Sequence, residues 1–347
     1  MKVLITGSRG YIGSKLCELT HRLKPKIKIY GLDSDLYRKK NIKKIEDYFL
    51  RKDIRDIKKK DLEGVDSVIH LASLSNDPLG SLNPKLTEEI NYKATIKLAN
   101  YAKKQNVNRF IFISTQSVYG ISKYKNKTIK ENDKNIKPIT DYAKTKLKAE
   151  KKLLEMANNN FLVTILRPST VHGPSKNFRN DIVLNNLCSS AFTQNKIIIN
   201  TNGKPYRPVL FIDDMCKIII SCLFKKKQLI NKKIFNVGYP KKNFTILQIA
   251  QMVKKVFKTS PIIILNHPSH DERSYKVNFS SISKTFSDIV NFKKKNIVLD
   301  IRKIKSFFEK EKFTYQILNG EKTNRIKMLK ILMKEKKINK ALRYKNV

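Results

Sequence analysis

No stretch of the 347-residue sequence approaches the roughly 18 uninterrupted apolar residues that a membrane-crossing helix needs, so a membrane span is not expected. Low-complexity tracts rich in serine, glycine or glutamine are missing, and so are internal repeats, which excludes linker-dominated and solenoid designs. Cysteine is scarce. Cys17, Cys188, Cys216 and Cys222 form neither a CxxC pair nor a Cys/His metal spacing, and Cys17, Cys216 and Cys222 fall in apolar helical patterns. Buried free thiols in a reducing compartment are expected. The five histidines are dispersed, so no metal site is expected. The amino-terminal residues run straight into a strand pattern without the charged region, apolar core and small-residue cleavage site of a secretion signal, and a cytoplasmic location is the expectation.

Acidic residues are also few. Against 29 Asp and Glu stand 73 Lys and Arg, a formal net charge of +44. Such a balance raises the question of a nucleic-acid or anionic-membrane partner. Lysine, however, is spread through nearly every helix and loop. Residues 293–347 hold 18 basic and 5 acidic side chains, a denser stretch, yet no nucleic-acid-binding motif accompanies it. Neither partner is therefore expected.

Hydrophobic residues make up 40% of the chain, an ordinary share for a globular protein, and they are arranged periodically. Strands are expected at residues 2–6, 27–32, 67–71, 109–114 and 162–167. Helices are expected at 11–21, 84–104 and 141–158, the second opening on Asn83-Pro84 and carrying Ile90, Ala94, Leu98 and Ala102 on one face. This alternation predicts an α/β fold: a Rossmann-type, doubly wound parallel sheet over residues 1–173. After Gly173-Pro174 the rhythm loosens. Helices at 182–194, 213–224, 245–257 and 321–334, with short strands at 196–200 and 209–212, suit a smaller C-terminal α/β substrate domain over 174–347, with returns to the first domain around 205–240.

Gly7-Ser8-Arg9-Gly10-Tyr11-Ile12-Gly13 lies between the first strand and first helix. Glycines there let backbone amides approach a diphosphate at a helix N-terminus, where the dipole favours negative charge. Asp33 follows Gly13 by 20 residues, at the end of the second strand. A carboxylate in that place accepts hydrogen bonds from ribose hydroxyls and repels a 2′-phosphate, favouring NAD over NADP. Arg9 and Arg38 are the counter-argument, since either could meet such a phosphate. Tyr142 and Lys146, four residues apart, share a helix face, so the ammonium can draw the phenol toward its anion and make it a general base. The segment Ser114-Thr115-Gln116-Ser117-Val118-Tyr119-Gly120 ends a strand at the carboxyl edge, where a hydroxyl can hold a substrate oxygen.

Ten stretches now fall in one order: TGSRGYIG from Thr6, KDIRD from Lys52, HLAS from His70, INYKAT from Ile90, STQSVYG from Ser114, YAKTK from Tyr142, LRPSTVHGP from Leu166, RPVLFIDD from Arg207, FNVG from Phe235 and HDERSYKV from His270. Over residues 1–290 the sequence resembles the extended short-chain dehydrogenase/reductases, the NAD-dependent sugar-nucleotide epimerases and dehydratases. The resemblance implies that Asp53 and Ile54 contact the adenine, that Leu71 and Ala72 line the cofactor, and that Asn91 sits beside it. It implies Thr115 as hydrogen-bond partner of the sugar oxygen, Tyr142 as base, Lys146 as the group that holds the nicotinamide ribose and tunes Tyr142, and Arg207 and Arg273 on the nucleotide diphosphate. Dimerisation through two helices per subunit is implied too, with 84–104 and 141–158 available. The sugar 4,6-dehydratases carry an Asp-Glu pair after the catalytic threonine, whereas Gln116 and Ser117 stand here and cannot move the required protons. Thr170 replaces an asparagine of the galactose-type epimerases. An epimerase is therefore expected, with a reductase or dehydratase of the same substrates as the alternative, and a cofactor-containing protein that holds nucleic acid or membrane as a remote one. His172 is expected to be a packed histidine, and Asp213 and Asp214 to cap a helix.

Overall fold

The computed structural model describes residues 1–37, 45–121, 127–267 and 274–345. Strands β1 (Lys2–Thr6), β2 (Lys28–Asp33), β3 (Tyr48–Arg51), β4 (Ser67–His70), β5 (Arg109–Ile113), β6 (Leu162–Pro168) and β10 (Lys233–Val237) form one seven-stranded sheet in the order β10-β6-β5-β4-β1-β2-β3. Every pairing in it is parallel, with Leu4 opposite Val68 on one side and Tyr30 on the other. The inner strands are apolar on both faces, as a sheet covered by helices on both sides requires. Successive side chains point to opposite faces, which divides the core in two. Val3, Ile5, Ile69 and Ile111 pack toward the Tyr11–Leu23 and Ile212–Cys222 helices. Leu4, Val68, Phe110 and Phe112 pack toward the Ala94–Lys104 and Asp141–Met156 helices.

Two small parallel sheets lie beyond this body: β7 (Thr170–His172) with β9 (Val209–Phe211), and β8 (Ile197–Ile199) with β11 (Ile262–Ile264). The chain returns to the main sheet at β10, which pairs with β6. The helix expected over 84–104 is interrupted. It runs as Pro84–Glu88, then a π-turn Glu89–Lys93, then Ala94–Lys104, and the extra residue in the turn points Asn91 into the interior. The tail helix begins at Arg325, later than its periodicity suggests, because the Asn324 side chain accepts from the Lys327 amide and fixes the start. Asp213 and Asp214 lie in the first turn of their helix, where the dipole favours them, but neither is its cap: Asp213 pairs with Lys15 at 3.6 Å, and Asp214 accepts from Tyr239 and Lys295. The four cysteines are free and buried. Among the described residues no helix is long and apolar enough to cross a membrane.

Candidate active site

A cleft of about 790 Å³ opens at the carboxyl ends of β1, β4 and β5, where the strand order reverses. Its floor is the glycine turn. Gly7 has φ +72°, donates its amide to Leu32 O at 2.7 Å, and lies so close to the β4 exit that a Cβ would be 2.8 Å from Ala72 N. A Cβ on Gly13 would stand 2.0 Å from Gly7 O and 2.8 Å from Ser8 O. Turn and helix therefore touch backbone to backbone. Gly10, which precedes the helix, offers no side-chain cap, so the first-turn amides face the cleft without one. This is a cradle that side chains would fill, and it fits a diphosphate.

Asp33 lines the next part of the cleft. Its carboxylate accepts from the amides of Arg9 at 3.1 Å and Asp35 at 2.8 Å, while burial pushes its pKa up to about 6. Hydroxyl donors from a ribose would favour the charged form. Asp53 caps the turn Ile54–Asp56 and holds Arg55 by two contacts of 2.9 and 2.6 Å, so its oxygens are already occupied, and Ile54 supplies the apolar wall. Leu71 and Ala72 form the opposite wall, anchored to Thr6 at 3.0 and 3.3 Å. His70 bridges the hydroxyls of Thr6 and Thr95 at 2.6 and 2.8 Å, and burial depresses its pKa to about 3, which keeps it neutral.

Two residues reach the site differently from what the sequence suggests. Asn91 does not line the cleft. Its carboxamide accepts from Leu74 N at 2.8 Å and donates to Leu74 O at 3.2 Å, so it shapes the loop that does. The Arg9 guanidinium is held by Asp35 and Glu46 at 3.2 and 3.3 Å and lies over the Phe49 ring, leaving only its backbone beside the glycine turn. Arg38 and Arg273 lie outside the described residues. His172 is wholly buried beside Phe211 and Asp300, away from the cleft.

Thr115, Tyr142 and Lys146 line this same cleft with Gly7, Gly10 and Gly13. Thr115 begins the turn Gln116–Tyr119, and its hydroxyl oxygen accepts from Ser117 N at 3.1 Å. A hydroxyl has one proton to give, and with an acceptor lone pair committed in this way the proton is available to a substrate oxygen. Tyr142 is in the first turn of its helix, which Thr140 caps. Gly80 abuts it: a Cβ there would be 2.9 Å from Tyr142 Cβ, so the short Asp77–Gly80 helix presses on the tyrosine's backbone. Lys146 donates to Ile113 O at 2.8 Å and lies over the Phe112 ring. Burial lowers its pKa to about 7, opposed by the Glu150 anion one turn further on. Glu150 itself accepts from Arg167 at 2.6 Å and from Ser114, and Arg167 continues to the Tyr119 hydroxyl at 3.0 Å.

A pH prediction follows from Lys146. An unfolded lysine titrates near ~10.4, so between about pH 7 and that value the unfolded chain holds a proton that the cofactor-free folded protein has released. Stability then rises with pH across this window. In urea unfolding at about pH 7 and about pH 9, the midpoint should rise more in the wild-type protein than in Lys146→Met. Equal rises in both proteins would rule out titration of Lys146 there.

The far wall of the cleft includes Arg207, Asn200, Thr201, Thr170 and Tyr275. Gln116 also lines it. Its amide nitrogen donates to Arg167 O at 3.2 Å, and its buried Oε1 has no partner among the described residues, which leaves an acceptor for a ligand donor. Sequence reasoning singled out Arg207 and Thr170 but missed Glu150, Gly80, Asn200 and Thr201. Only Glu150 left a signal, its position four residues after Lys146.

The parallel sheet, the glycine cradle and the hydroxyl–phenol–ammonium set define a dinucleotide-dependent enzyme of the Rossmann type. Residues 3–238 match the model of the NAD dependent epimerase/dehydratase family, and the chain belongs to that family of NAD-using enzymes. The uncharacterized UDP-glucose epimerase YtcB of Bacillus subtilis is 29% identical over 276 residues, 74% of this chain and 82% of that protein. The dTDP-D-glucose 4,6-dehydratase of Bos taurus is 28% identical over 272 residues, 74% of this chain and 73% of that protein. In fold, the UDP-glucose 4-epimerase of Thermotoga maritima, solved with UDP-glucose, superposes with a TM-score of 0.78 at 20% identity, covering 90% of this chain and 100% of that one.

Proposed function

We propose that this enzyme is an epimerase of nucleotide-diphosphate sugars that works through a transient keto sugar. The observation that carries the reading is the convergence of Thr115, Tyr142 and Lys146 on the cleft that holds the glycine cradle. The diphosphate of NAD would lie on Gly7–Gly13, its adenosine ribose on Asp33, and its nicotinamide ribose at Lys146. When bound, NAD supplies a site that accepts a hydride from the sugar carbon and returns it. The protein's part is proton handling and positioning. Thr115 donates to the reacting sugar oxygen. Tyr142 takes the hydroxyl proton and later returns it, with the Lys146 ammonium one helical turn away favouring the phenolate. Arg207, with Arg273, would meet the nucleotide diphosphate through the planar fork that suits phosphate oxygens.

Relatives named as epimerase and as dehydratase are about equally similar to this chain, so the distinction rests on side chains. Gln116 and Ser117 both line the cleft, and neither can serve as acid or base in an elimination. Gln116 instead presents its Oε1 as an acceptor. The test is incubation of the purified protein with UDP-, dTDP- and GDP-sugars in deuterated water, without added reductant. Epimer without solvent deuterium supports the proposal. A product lighter by one water shows dehydration, and consumption only on addition of NADH or NADPH shows reduction. Either would replace it.

A further inference from the structure

The densely basic tail is folded onto the cofactor end of the molecule. Leu329, Leu332, Ile338 and Leu342 are buried in the same apolar cluster as Leu36, Ile54 and Leu74. Polar ties join the tail to the edge of the sheet. Arg55 donates to Ala341 O at 2.8 Å, Arg343 pairs with Asp56, and the Tyr344 hydroxyl donates to Asp35 O at 3.1 Å. The Arg51 guanidinium covers the Tyr344 ring at 4.5 Å. The result is that Asn324, Arg325 and Ile326 line the cleft together with Asp33, Tyr37 and Ile54.

Arg325 is only 4% exposed, and its guanidinium lies 4.0 Å over the Tyr37 ring. Among the described residues the guanidinium makes no hydrogen bond and no ion pair. Its neighbour Arg179 is paired with Asp181 at 2.8 Å and donates to Ser75 at 3.1 Å, and it adds a second positive charge beside Arg325. Burial, reinforced by Arg179, pushes the Arg325 pKa down to about 10. Asp33 and Asp181 attract Arg325 but make no ion pair with it; a buried cation compensated only at that range is costly, and a ligand bringing negative charge to this end of the cleft would offset that cost.

We propose that Arg325 is a cofactor-binding residue, reaching from the tail to the adenosine-phosphate half of the dinucleotide. The tail is then one wall of the cofactor site. This inference rests on the family's use of NAD and not on which sugar reaction follows.

The test uses the full chain stripped of dinucleotide, titrated calorimetrically with NAD, with ADP-ribose, which keeps the adenosine half and lacks the nicotinamide, and with UDP. Arg325→Met should bind NAD and ADP-ribose about 10- to 100-fold more weakly, the loss of charge-assisted hydrogen bonds to a phosphate, while UDP affinity stays the same. The thermal midpoint of the cofactor-free variant should equal or exceed the wild-type value, because an unpaired buried cation has been removed. Unchanged affinity for both adenosine ligands would overturn the proposal. So would a loss confined to UDP, which would place Arg325 on the substrate side. A lower cofactor-free midpoint with unchanged ligand affinity would show a purely structural residue.

Discussion

Tyr142→Phe should lower turnover by roughly 10²–10⁴-fold while leaving NAD affinity close to the wild-type value. The substitution removes one oxygen. Everything that places the ring remains: the Thr140 cap, the contact of Gly80 with the Tyr142 backbone and Cβ, and the hydrogen bond of Lys146 to Ile113 O at 2.8 Å. What disappears is the group that exchanges a proton with the sugar hydroxyl, and neither Thr115 nor Lys146 stands ready to replace it. The Thr115 oxygen already accepts from Ser117 N, and Lys146 is anchored to a carbonyl. Steady-state turnover on the best sugar nucleotide, with NAD binding measured in parallel, gives the answer. Near-normal turnover would eliminate Tyr142 as the base, and a loss of both turnover and NAD affinity would point to a disturbed fold.

Gly13→Ala should cost at least ~100-fold in NAD affinity, corresponding to two lost hydrogen bonds to phosphate. The added methyl would fall 2.0 Å from Gly7 O and 2.8 Å from Ser8 O, both backbone atoms without a flexible end that could yield. Helix and turn must separate, and the first-turn amides move away from the position in which they converge on an anion. Overpacking of this kind also costs about 1–3 kcal/mol of stability, so far-ultraviolet circular dichroism should establish that the variant is folded before binding is read. Wild-type affinity in a folded Gly13→Ala protein would show that the diphosphate lies elsewhere.

Much of the sheet and the cradle could be read in advance because their signals are local. Each inner strand is a short apolar run, and the cradle is seven consecutive residues ending in Gly13. The elements that escaped have signals set by distant partners. Tyr48–Arg51 is an exposed edge strand whose identity depends on Tyr30, whose ring stacks on Tyr48 at 4.6 Å. The π-turn at Glu89–Lys93 has a normal helical pattern in sequence, and only the loop that Asn91 must hold shows why an extra residue is accommodated. The same separation applies at the site. Thr115, Tyr142 and Lys146 were legible as a set through their family resemblance and the four-residue spacing. Asn91 and Arg9 were placed in the right neighbourhood, but which way their side chains turn was decided by Leu74, Asp35 and Glu46, which no spacing rule connects to them. Arg325 is separated from Asp33 by almost the whole chain, and nothing in its surroundings along the sequence announces the cleft.

The fold of the tail also imposes an order on biosynthesis. The glycine turn is translated well before Arg325, Leu329 and Leu342, which emerge from the ribosome after every strand of the main sheet. A nascent chain can thus assemble its sheet and offer amides to a dinucleotide while that pocket still lacks a wall. Chains arrested before residue 325 should release an adenosine nucleotide faster than chains that include the tail, and equal release rates would show that capture is finished without the Arg325–Lys334 helix.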